Sequence, residues 1–152
     1  MIASRPIRQA SDENADEKRF VYYKGFSMRG VFHNGDRLTV HPCSFDLIIP
    51  GDIVVFNLGE QDIVHRVVEK RDRELVTGGD SNPRLDHDIV LPDRLIGKVS
   101  GVNRNGKEIS LRHGKRGLRV WRRHQRFWLT LFSINKVINL FFPPGSLSWI
   151  FR

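Results

Sequence analysis

Three short segments gather the residue types that acyl transfer needs. The first is Gly25-Phe26-Ser27-Met28, followed by Asn34-Gly35-Asp36. The second is Gly51-Asp52-Ile53-Val54-Val55-Phe56, leading to Ile63-Val64-His65-Arg66-Val67-Val68. The third is Thr77-Gly78-Gly79-Asp80-Ser81-Asn82, with Asp86 soon after. A serine hydroxyl is a poor nucleophile near neutral pH until a positioned base takes its proton. An imidazole, basic enough yet largely unprotonated there, is suited to that task. Ser27 is therefore the candidate nucleophile and His65 the candidate base, with a third group needed to orient the ring and stabilise its charged form. Alone, each segment is ordinary: Ser-Met pairs are common, and a histidine in a strand is usually just hydrogen-bonded.

The elements that must hold these residues read as strands. β-type runs cover Phe20–Lys24, Arg37–Pro42, Asp52–Leu58, Asp62–Glu69, Glu74–Thr77, Leu95–Val102 and Lys107–Arg112, rich in Val, Ile, Phe and Tyr. Asn34-Gly35, Pro50-Gly51, Gly78-Gly79 and Asn105-Gly106 separate them with the left-handed or preset geometry that reverses a strand. No helical spacing of apolar residues occurs between 20 and 112, so the body is all β, a curled antiparallel sheet. Valines at 64, 67 and 68 suit a strand that holds the His65 ring rigidly.

In this order the segments resemble the catalytic domain of type I signal peptidases, within the clan that also includes the LexA-type repressors. The likeness covers residues 20–102 and is closest to the endoplasmic-reticulum and archaeal type, in which histidine replaces a lysine base. It is carried by Ser27-Met28 before Asn34-Gly35-Asp36, by Gly51–Phe56, by Val64-His65-Arg66-Val67 and by Gly79-Asp80-Ser81-Asn82. The resemblance implies a serine endopeptidase that cuts a leader or signal peptide after small residues, through an acyl-enzyme on Ser27. It assigns Asp86 as the orienting carboxylate and Asp80 as a nearby second carboxylate or a structural turn residue, with Asp88 a weaker alternative. It also marks departures. The oxyanion donor expected two residues before the nucleophile is lost at Gly25, leaving the Ser27 N–H, and Arg29-Gly30 replaces a usual proline. The membrane helix that precedes the serine in familiar members is replaced by a polar arm.

The tail differs from the body. No acid follows Glu108, whereas nine Lys and Arg do, so residues 1–108 set sixteen cations against all seventeen acids and the +8 net charge belongs to the tail. Whole-protein nucleic-acid binding is therefore not implied by charge. From Leu118 to Phe142 apolar residues recur at helical spacing, and Pro143-Pro144 must stop that helix. The expected division is a polar arm over 1–19, the β domain over 20–112 and a basic, amphipathic helical tail over 113–152. Arg112–Phe142 is too short and interrupted to span a bilayer. It suits either packing over the sheet or peripheral contact with a membrane surface, with nucleic acid the weakest of the three.

Residues 1–19 hold no apolar run, which excludes a signal-peptide core there and points to a cytoplasmic protein or one at the inner face of the membrane. The single cysteine, Cys43, allows no internal disulfide and reads as core filler. The histidines lack ligand spacing, so neither a metal nor another cofactor is expected. Self-cleavage of the LexA kind fits poorly, because that kind uses a lysine base and a longer leading segment. The competing reading is a catalytically weak or inactive homologue that binds a peptide, a membrane or nucleic acid.

Overall fold

The computed structural model describes residues 18–141, with side chains in the last helix to Leu131 and at Ser133. Seven strands form one antiparallel sheet: β1 (Arg19–Tyr22), β2 (Arg37–His41), β3 (Ile53–Leu58), β4 (Gln61–Arg71), β5 (Glu74–Gly78), β6 (Leu95–Arg104) and β7 (Lys107–Ile109). Their order across the sheet is β1-β2-β6-β3-β4-β5, with β7 folding back on β6. One helix, α1 (Gly114–Phe141), follows. The expected β body with a C-terminal helix is what forms. The last apolar run pairs only to Ile109, and α1 begins four residues before Leu118. Polar arm residues 1–17, Phe142 and the Pro143-Pro144 stop lie outside the described residues.

The sheet buries both faces. Along β3, Ile53 and Val55 join a cluster with Met28, Phe32, Leu38, Val40 and Val99, whereas Val54 and Phe56 join Ile48, Val67, Leu75 and Val90 on the other side. Two-sided burial accounts for the unbroken Ile-Val-Val-Phe run, since alternate side chains of a strand leave on opposite faces. Cys43 packs beside the second cluster, where burial pushes its thiol above the usual range.

Turns fix the register. Asn105 and Gly106 take φ of 52° and 82°, the left-handed pair a tight hairpin requires, and join β6 to β7. A two-residue turn at Gly59-Glu60 joins β3 to β4, pairing Leu58 with Gln61. Between β1 and β2 the chain winds through Phe26–Val31 as consecutive turns. Arg104 of β6 pins that excursion, donating to both Asp36 carboxylate oxygens at 2.8 and 2.7 Å and to Val31 O at 3.0 Å. Asp36 Oδ2 also accepts the His33 N–H at 2.8 Å. The segment bearing Ser27 is thus tied at both ends to the sheet.

Candidate active site

The nucleophile candidate sits where the chain leaves β1. Ser27 is partly exposed, and the Met28 behind it is fully buried. Met28 N–H donates to the Tyr23 hydroxyl at 3.0 Å, and Tyr23 packs at 5.3 Å between centroids against Phe32. Gly25 has φ of 152°, a conformation side chains disfavour, and its N–H is held by Asn34 Oδ1 at 2.8 Å. Ser27 O accepts the Ser81 N–H at 2.7 Å. Gly79 makes this approach possible, because a Cβ there would stand 2.6 Å from Ser27 O.

β4 distributes the next two residues to opposite sides. His65 and Arg66 are consecutive, so their side chains diverge, and each meets a different aspartate. His65 Nδ1 lies 2.6 Å from Asp86 Oδ2, the same oxygen that receives the Thr77 hydroxyl at 2.6 Å. Asp86 is fixed in turn by its own N–H, bonded to Thr77 O at 2.9 Å. With Nδ1–H donating to Asp86, the free Nε2 lone pair is the one available to take a proton. His65 and Ser27 line one cleft of about 270 Å³, with Tyr22, Tyr23, Lys24, Asp62 and Ile63 among its walls.

Asp80 is committed elsewhere. Its two oxygens take a bidentate guanidinium, from Arg66 Nε at 2.8 Å and Nη2 at 2.7 Å, with both side chains buried. Arg66 Nη1 spans to Gly51 O and Arg112 O at 2.8 and 2.9 Å. The Asp80 N–H points to Met28 Sδ at 3.2 Å. The second carboxylate therefore sits on the opposite side of β4 as a structural anchor beneath the Ser27 turn. Asp88 is exposed.

Helix α1 braces the Ser27 turn through His124 and, through Gln125, the 79–82 loop that is bonded to it, a role with no signal in the sequence. Gln125 Nε2 donates to Asn82 O. His124 covers Gly30 so closely that a Cβ at Gly30 would lie 2.6 Å from its ring. The Arg29-Gly30 departure thus makes room for an imidazole from the helix. Thr77 and Arg66 carry no sequence signal of these roles, although they stand in the same segments as Asp80 and His65. Among the described residues the N–H groups of Phe26 and Ser27 meet no protein acceptor, so two successive amides, rather than one, remain free beside the hydroxyl.

Among the described residues no three His, Cys, Asp or Glu side chains are grouped to hold a metal ion, and no helix is long and apolar enough to cross a membrane. Comparison with curated proteins finds no match to the chain. The family model for Peptidase S24-like proteins matches residues 3–100, which takes in Ser27, His65, Asp80 and Asp86 and ends within β6. That match reaches the clan and serine-peptidase chemistry in general, without the endoplasmic-reticulum or archaeal signal-peptidase subtype. With well over half its length matched, the chain belongs to the Peptidase S24-like family.

Proposed function

We propose that this protein is a serine endopeptidase that hydrolyses a leader or signal peptide, using Ser27, His65 and Asp86. The observation that carries the reading is the 2.6 Å contact of His65 Nδ1 with Asp86, made by a histidine that shares a cleft with Ser27. Ser27 Oγ attacks the scissile carbonyl carbon as its proton passes to His65 Nε2. The tetrahedral oxyanion is received by the free amides of Ser27 and Phe26, which would supply the donation that Gly25 lacks. Collapse breaks the C–N bond, and His65 returns the proton to the leaving amine. Water, activated by His65, then releases the acyl group and restores the serine. Asp80 holds the turn through Arg66 and takes no part in proton transfer. The small-residue preference comes from the signal-peptidase likeness. A cytoplasmic location, or one at the inner face of the membrane, belongs to the same reading.

The test is intact-mass analysis of a panel of leader peptides with small residues at the cut, incubated with wild type, Ser27→Ala and His65→Ala. Cleavage by wild type, reduced by about 10⁶-fold in each variant, is expected. Folded wild type that leaves every peptide intact would favour the competing reading of a binding module.

A further inference from the structure

Peptide hydrolysis makes no use of the outward face of α1. Its inward face, at Gly114, Gly117, Trp121, His124 and Gln125, is buried or half-buried against the sheet and the Ser27 turn. On the other side Lys115, Arg116, Arg119, Arg122, Arg123 and Arg126 are all exposed. Their separations of three, four and seven keep them on one face. None of these six makes an ion pair among the described residues, and the helix carries no acid. Arg112, Arg116, Arg119 and Arg123 converge, with Val120, on a cleft of about 490 Å³.

The next turn changes chemistry without a change of element. Phe127, Leu129 and Leu131 are 60%, 55% and 40% exposed. The hydroxyls beside them are turned back on the helix, Thr130 to Arg126 O and Ser133 to Leu129 O, both at 2.9 Å. Cations that face outward and lead into uncovered rings and leucines call for a partner offering phosphates and hydrocarbon together. A nucleic-acid backbone would satisfy the arginines and leave the apolar turn wet.

We propose that the outward face of α1 docks on an anionic phospholipid bilayer. Headgroup phosphates enter the arginine cleft, and Phe127 and Leu131, one turn apart on the same side of the helix, enter the acyl boundary. The inference goes beyond the peptidase reading and stands or falls without it.

The full chain should co-float with phosphatidylcholine vesicles that contain phosphatidylglycerol, and not with phosphatidylcholine alone. Binding should weaken as salt rises and resist competition by inorganic phosphate, which offers no apolar phase. Arg116→Glu combined with Arg119→Glu and Arg123→Glu should lower vesicle affinity by at least about 100-fold, with an unchanged circular dichroism spectrum and melting temperature. Phe127→Ser with Leu131→Ser should abolish the binding that survives high salt. Failure to bind anionic vesicles, tighter binding to duplex DNA or RNA than to them, displacement by inorganic phosphate, or a folded triple variant that still binds overturns the proposal.

Discussion

One strand, β4, gives adjacent residues unrelated tasks, and substitution should separate them. Asp86→Asn removes the acceptor that fixes the His65 tautomer, and turnover should fall by about 10⁴-fold with little change in melting temperature. Thr77→Val deletes a hydroxyl bonded to that carboxylate, and its smaller loss, about 10- to 100-fold in kcat, should leave KM unchanged. Arg66 should behave in the opposite way. Arg66→Met leaves the buried Asp80 without its partner and should cost about 3–5 kcal/mol by chemical denaturation. Arg66→Met with Asp80→Leu should recover most of that stability, and a failure to recover would place the cost in the Arg66 bonds to Gly51 O and Arg112 O. The sequence made the serine, the histidine and both aspartates visible. Only the family resemblance favoured Asp86 as the partner of His65, and the residues alone did not pair Asp80 with Arg66, since that depends on strand direction and on the 77–86 loop bringing Asp86 back to Thr77. The donor proposed at Phe26 was equally hidden, because a backbone N–H carries no residue signature.

At the scale of elements, the strand boundaries were legible because alternation and turn residues are local signals. Burial on both faces even explains the uninterrupted β3. Packing of α1 over the sheet was among the expectations, but the place where it docks was not legible, since it depends on glycines far apart in sequence. A Cβ on Gly51 would stand 1.9 Å from Gly114 O, and one on Gly117 would stand 2.2 Å from Gly51 O. Those contacts let a helix reach the sheet backbone beside Arg66. Gly51 also has φ of 97°. Gly51→Ala should therefore cost at least about 1–3 kcal/mol from conformation alone and should loosen α1 as well. Hydrogen exchange over 114–125 should rise in this variant, and peptidase turnover should drop with it, because Gln125 and His124 leave the Ser27 turn. Unaltered exchange in a folded variant would mean that the helix is held by other contacts.

For the molecule as a whole, charge is arranged in two regimes. Within the body, each of the buried carboxylates Asp36, Asp52 and Asp80 meets at least one basic side chain. Hydrogen bonds from Arg104 hold Asp36 below the usual carboxylate range against the opposing effect of burial. Burial pushes the Asp52 carboxyl up, but His113 and Lys98 beside it more than offset that, so it too lies low. Both groups bind a proton more readily in the unfolded chain. Their stabilisation is complete above the ordinary value of 3.8 and is lost as pH falls through the lower folded values. The melting temperature should hold steady from neutrality to about pH 5 and fall steeply below about pH 4. Asp36→Asn should lower the neutral plateau and flatten the acid slope, and an unchanged slope would remove Asp36 from the account. Outside the body, Lys115, Arg116, Arg119, Arg122, Arg123 and Arg126 of α1 have no such partners among the described residues. Its acid-free composition was plain from the sequence, whereas the side of the helix that faces outward required the packing of the other side to be seen.

The bracing of the Ser27 turn by Gln125 and His124 also has a consequence in time. During synthesis the turn that bears Ser27, the strand that bears His65 and the loop that bears Asp86 leave the ribosome before the helix that steadies the turn. A nascent chain halted at Arg112 would already hold the reactive side chains, but with Gly30 uncovered and Asn82 O without its donor. The bracing contacts would thus form only after Ser27, His65 and Asp86 are all in place.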